Sequence, residues 1–146
     1  MIIVYENMGS KIFKDVWKAR NDYIDVVRND SSSAADNFFM QNAVKELSEN
    51  EKLAGLKLLE MQKYSMLMFT SCGWFFSEIS GLETVKILEY AARAIELLKE
   101  LTGLDIETEF KNRLAEAISN IPKYKTGKGV YEKLVIPHKH LRIDQI

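Results

Sequence analysis

The stretch SGLETVKILEYAARAIELLKELTG, Ser80 to Gly103, decides the fold. Val85, Leu88, Ala91, Ala92, Ile95 and Leu98 recur at spacings of three and four. Lys86, Glu89, Arg93, Glu96 and Glu100 fall on the opposite side, so the segment reads as a helix with one buried stripe. Ser80-Gly81-Leu82-Glu83 has the form of a capping box at its start. Gly103 is a natural stop at its end, and Glu89 to Arg93 is a favourable i,i+4 pair adding ~0.3 kcal/mol.

The same period extends in both directions. Upstream, Ile12, Phe13, Val16, Trp17, Ala19, Tyr23, Ile24 and Val27 predict a first helix from about Ser10 to Val27, ended by Asn29, Asp30 and the serines 31 to 33. A second helix from Ala34 to Leu47 is expected, with Ser33 as N-cap and Phe38, Phe39, Val44 and Leu47 turned inward. Ser48-Glu49-Asn50-Glu51 is a further capping box and opens a third helix. On it Lys57, Glu60 and Lys63 share a solvent face. Beyond Tyr64 the run Ser65 to Phe69 carries no charge, which predicts a buried C-terminal half delivering Thr70 to Trp74 into the interior or onto a cleft floor. Downstream, a fifth helix from about Ile106 to Ser119 should bury Phe110, Leu114, Ala117 and Ile118 before Pro122 closes it. Only Ile2 to Tyr5 hints at a strand, and a short helix is allowed near Val130 to Leu134. The expected class is all-α, one bundle-like domain of about five main helices over residues 1–146, with a core over about 10–121 and an irregular basic tail over 122–146.

Composition narrows the function classes. With 146 residues, 47% of them hydrophobic and 28% charged, the chain is the size and type of a folded domain. A net charge of −1 gives no overall pull toward nucleic acid or acidic lipid. The charge is uneven, however: residues 1–121 hold 14 basic and 19 acidic side chains, and residues 122–146 hold 6 and 2. A single cysteine excludes an intrachain disulfide. The opening Met-Ile-Ile-Val-Tyr-Glu lacks the plan of a secretory leader, and no apolar run approaches the roughly 20 residues of a membrane span. A cytoplasmic location, no membrane and no nucleic acid are therefore expected.

Few residues carry chemistry. Cys72 could be a thiolate activated by His138 or His140, but without a nucleophile signature around it a small core residue is the better reading. His138-Lys139-His140 offers two metal ligands with nothing beside them, so no metal and no cofactor are expected. Thr126-Gly127-Lys128-Gly129 lacks the spacing of a phosphate loop. The basic tail from Lys123 to Arg142 could hold an anion, though solvated charges are commoner. That leaves the run Met66 to Thr84, MLMFTSCGWFFSEISGLET, in which Thr70, Ser71 and Glu78 sit among aromatics. Aromatic faces pack on sugar C–H surfaces while polar groups take the hydroxyls, so Trp74, Glu78, Thr70 and Ser71 are candidate substrate-binding residues. An equal alternative is that Trp74 is core and Glu78 caps the following turn. No catalytic pair of carboxylates is evident.

The wording of this run, TSCGWFFSEISGLET followed by ILEYAARAIEL, resembles the C-terminal helical region of a subgroup of glycoside hydrolase family 57, α-amylase-like proteins, a region catalogued as a domain of unknown function. Lys11 to Ile24, Leu58 to Gln62, Ser119 to Pro122 and Gly129 to Glu132 extend the resemblance over nearly the whole chain, with Val16 in place of a usual proline. In such proteins the catalytic Glu and Asp stand on an N-terminal barrel, which has no counterpart in these residues; a Cys- and His-containing stretch upstream of the helices is also missing. The resemblance implies either an excised domain or a short gene product, with no catalytic residues of its own. It further implies that these helices pack on a barrel, fused or separate, and help wall an α-glucan cleft, with Trp74 nearest the sugar. Self-association through an apolar surface left without its barrel is expected too. The alternative is a helical interaction or oligomerisation module without a carbohydrate role.

Overall fold

Asp15 sets the start of the first long helix, because its carboxylate accepts the free amides of Trp17 and Lys18, each at 2.9 Å. This is seen in a computed structural model that describes residues 1–138 apart from Asp30, and all but the side chains of Ser32 and Trp74 among them. His140 and Arg142 lie outside the described residues, as does the Asp30 part of the first interhelical break. The helices are α1 (Ile2–Gly9), α2 (Val16–Arg28), α3 (Ser32–Asn42), α4 (Glu49–Leu67), α5 (Leu82–Thr102), α6 (Glu107–Leu114) and α7 (Gly127–Val130). A 3-10 turn, Ser71–Trp74, lies between α4 and α5, and α7 runs on into a π-helical turn, Tyr131–Val135. The fold is all-α. Among the described residues the extended pairing consists of two isolated bridges, Phe13 with Ala43 and Ile118 with Thr126.

Contacts group the chain into two compact units, Met1–Gln62 and Lys63–Ile146, whose boundary falls within α4. In the first unit Ile2 to Tyr5 is helical rather than extended, and the stripe expected to begin at Ser10 is interrupted. Lys14 N donates to Asn42 O and Val44 N to Ile12 O, both at 2.9 Å. This pairing needs extended backbone at both places, which ends α3 at Asn42 and delays α2 to Val16. Phe13 is thereby inserted among Phe38 and Phe39, 6.0 and 6.4 Å away between ring centres. Gly55 lets α4 approach them, since a Cβ there would lie 3.1 Å from Phe39 and 3.3 Å from Phe13. Ser31, not Ser33, caps α3 by accepting from Ala34 N. Phe38, Phe39 and Leu47 are buried as expected, whereas Val44 beyond the shortened helix is exposed.

The capping box before α4 forms: Ser48 N donates to Glu51 Oε2 at 2.8 Å and Glu51 N to Ser48 Oγ at 3.4 Å. Glu60, expected on the solvent face, is buried and accepts from Tyr23 Oη at 2.7 Å. A carboxylate with a buried donor facing it can occupy a core position that hydropathy alone assigns to solvent.

In the second unit Leu88, Ala92, Val130, Tyr131 and Val135 form the buried cluster, with Ile79, Val85, Phe110, Leu114 and Tyr124 packed around it. The short helix allowed near Val130 to Leu134 is present, and its Val130 and Tyr131 belong to the core. Gly129 makes the approach possible, because a Cβ there would sit 2.0 Å from Tyr124 O. Gly103 ends α5 in the left-handed conformation at φ 75°. The fifth expected helix stops at Leu114. Beyond it Ser119 N donates to Lys125 O and Gly127 N to Ala117 O, so Ala117 and Ile118 lie in an exposed extended pairing instead of a buried helical turn. Gly81, without a side-chain cap, precedes α5, so the Ser80 to Glu83 capping box does not form.

Candidate functional site

The turn between α4 and α5 is built by two terminations. At the end of α4, Thr70 N and Thr70 Oγ1 both donate to Leu67 O, at 3.1 and 2.9 Å, which closes the helix and turns the chain outward. The uncharged run before it is therefore not buried: Met66 and Phe69 are 53% and 68% exposed. The absence of charge marks an apolar surface here, a distinction that composition cannot make.

The 3-10 turn then lies close against α5. A Cβ at Gly73 would fall 1.8 Å from Ile87 Cδ1, and Thr84 Oγ1 donates to Gly73 O at 3.2 Å. Beyond it Phe75 and Phe76 project to solvent, 84% and 55% exposed, with ring centres 5.5 Å apart and planes at 75°. Edge-to-face packing is the preferred geometry of an aromatic pair. Leu82, 80% exposed, stands at the beginning of α5. A groove of about 490 Å³ runs alongside, lined by Thr70, Cys72, Leu82, Val85, Ile87 and Tyr90 with Glu83, Lys86 and Glu89 among its walls. Lys86 and Glu89 are ion-paired at 3.3 Å.

Glu78 holds the far side of the turn. Its Oε1 accepts from Ser119 Oγ at 2.7 Å and from Ser80 N at 2.9 Å, and its Oε2 accepts from Asn120 N at 2.7 Å. Asn120 Nδ2 returns a bond to Ser77 O at 3.2 Å. The Ser119 hydroxyl, followed by the backbone donors of Ser80 and Asn120, holds the Glu78 carboxyl below the usual carboxylate range against an opposing effect of burial. A carboxylate so engaged braces its own turn.

The four sequence-proposed residues thus lie on one turn in different circumstances. Thr70 and Ser71 are exposed, and Glu78 is partly buried and bonded to protein donors. Trp74 closes the 3-10 turn, while its side chain lies outside the described residues. Cys72, read as a core residue, is exposed at the groove. Ser119 and Asn120 are brought to Glu78 by the fold and not by any local spacing. The one signal for them is that Ser119 to Pro122 is among the segments sharing the family-like wording. Among the described residues no group of three or more His, Cys, Asp or Glu is placed to hold a metal ion, and no helix is long and apolar enough to cross a membrane.

The profile of a domain of unknown function, DUF3536, matches residues 1–146. The chain belongs to the DUF3536 family. No curated protein and no solved structure matches it. In this DUF3536 domain the turn between α4 and α5 exposes Phe75 and Phe76 and is bonded by Thr84, Ser119 and Asn120.

Proposed function

We propose that this chain is a noncatalytic helical accessory domain of a glycoside hydrolase family 57-like, α-amylase-like protein, and that its aromatic turn packs on a catalytic barrel, fused or separate, to help wall an α-glucan cleft. The observation that carries the reading is the outward display of Phe69, Phe75, Phe76 and Leu82 on one turn of the second unit. Large apolar side chains grouped at a surface are costly to leave in water and mark a place where another surface covers them. The sequence resemblance supplies the identity of that surface as a barrel. Trp74, with the exposed residues Thr70 and Ser71, is the part that reaches the glucan, and Glu78 contributes by shaping the turn.

The purified 146-residue chain is expected to release no reducing sugar from amylose. Release that disappears in Glu78→Gln would overturn the noncatalytic assignment. The same exposed aromatics favour a second reading, an oligomerisation module with no carbohydrate role. Maltooligosaccharides quenching or shifting tryptophan fluorescence, with loss of the response in Trp74→Ala, support the first reading. Concentration-dependent self-association with no response to sugar supports the second.

A further inference from the structure

We infer that the aromatic turn is a latched element, in which Glu78 is the positioning residue and Ser119–Asn120 the catch, so that breaking this one contact frees the Phe75–Phe76 arch while the rest of the second unit stays folded. The geometry separates two kinds of anchoring. Upstream, Gly73 is seated on Ile87 and bonded by Thr84; downstream, Ile79 packs against the core of Leu88, Val130 and Tyr131. Between these anchors Phe75, Phe76 and Ser77 are all exposed, so apolar burial does not fix their path. Polar contacts of the arch run through Glu78 and Asn120, which join it to a segment more than 40 positions away, 41 from Glu78 to Ser119 and 42 to Asn120.

The catch is itself held. Ser119 N donates to Lys125 O at 3.0 Å, and Ile121 N donates to Ser119 Oγ at 3.1 Å, so the hydroxyl that meets Glu78 has a fixed position. The donors to Glu78, the Ser119 hydroxyl, the amides of Ser80 and Asn120 and the Ser80 hydroxyl, are all neutral, and a carboxylate can accept from them together. A glutamine at this position has one oxygen and an amide that faces donors, so it satisfies only part of the set. A segment with little apolar burial, held by a small number of polar contacts, opens locally at a free energy below that of global unfolding. The latch is a property of the second unit and stands whether or not the turn meets a barrel or a sugar.

The test is amide hydrogen exchange on the full chain, together with chymotryptic cleavage between Phe75 and Phe76, in the unaltered protein, Glu78→Gln and Ser119→Ala. The amides of Ser80 and Asn120, which donate directly to Glu78, should exchange about tenfold faster or more in Glu78→Gln, with cleavage at the arch rising in parallel and amides of α5 from Leu88 to Leu98 unchanged. Ser119→Ala, which removes one donor and leaves the carboxylate in place, should produce a smaller change at the same positions and keeps the test open if Glu78→Gln fails to fold. Unchanged exchange at Ser80 and Asn120 in both variants overturns the latch. So does acceleration of α5 in step with them, which would make Glu78 a general contributor to stability.

Discussion

Tyr23 on α2 donates its hydroxyl to Glu60 on α4 at 2.7 Å, a buried bond that joins helices 37 positions apart in sequence. Both side chains are shielded from water, so the donor lost in Tyr23→Phe is not replaced by solvent. The variant should be destabilised by about 1–2 kcal/mol, read as a lower urea midpoint with an unchanged slope. A midpoint equal to that of the unaltered chain would show that the bond contributes nothing.

Two glycines separate steric from conformational cost. Gly129→Ala places a Cβ 2.0 Å from Tyr124 O and 3.0 Å from its carbonyl carbon, backbone atoms that cannot rotate away. A loss of about 2 kcal/mol or more is expected. Gly103→Ala meets nothing within 4 Å but must hold φ near 75°, costing about 1 kcal/mol, and Gly103→Asn less. Thermal melts of the three variants should rank in that order.

These residues also show where sequence is sufficient. Gly103 and the Ser48–Glu51 box are local devices, each settled within four residues, and both stand as read. The α5 stripe holds because its period is long and unbroken. Glu60 and Ile118 depart from their local pattern because their environments depend on groups farther along the chain, Tyr23 for Glu60 and the Thr126 segment for Ile118; Ser80 departs because the neighbouring Glu78 carboxylate takes its amide. The same holds for the candidate site. That Glu78 sits among aromatics is legible, but that Ser119 and Asn120 engage its carboxylate is not.

Stability should fall in acid through identifiable carboxylates. The Lys45 ammonium beside Glu51, with the amide and hydroxyl of Ser48, holds its carboxyl down at about 2 against a usual 4.5. Lys18 lowers Asp22 and Ser119 lowers Glu78 in the same direction. A depressed folded-state pKa gives stability that is present above the unfolded value and is lost as pH falls through the folded one. The Glu51 contribution should therefore disappear between about pH 4.5 and 2. Urea midpoints measured across that window should fall less steeply in Glu51→Gln than in the unaltered chain. Parallel curves would remove Glu51 from the explanation.

The alkaline limb has the opposite sign. Burial pushes the Tyr5 hydroxyl up to about 12 from 10.0, and burial with the Glu107 acceptor raises Tyr131 in the same direction. Raised values give stability that is fully present below the unfolded pKa and lost as pH climbs above it. In a spectrophotometric titration these two of the six tyrosines should ionise only as the chain unfolds, so the last tyrosinate absorbance and the loss of helical signal should coincide. Ionisation of all six before any unfolding would contradict the burial of Tyr5 and Tyr131.

The exposed pair should matter little to folding. Phe75→Ser combined with Phe76→Ser removes surface apolar area and leaves the bonds of Glu78 in place, so stability should stay within about 0.5 kcal/mol of the unaltered chain. Self-association, measured by sedimentation, should weaken in the same variant. A large drop in melting temperature would instead assign the two rings to the core.

The most direct test of the accessory-domain proposal is calorimetric titration of this chain into a glycoside hydrolase family 57 catalytic barrel encoded beside it, or expressed from the same protein if the two are fused. Saturable binding is expected, weakened tenfold or more in Phe75→Ser/Phe76→Ser, as for loss of an aromatic anchor worth about 1.4 kcal/mol or more. Ile24→Ser, a change at an exposed position of the first unit, should leave binding unchanged. Absence of binding, or equal affinity of the aromatic variant and the unaltered chain, would contradict the proposal.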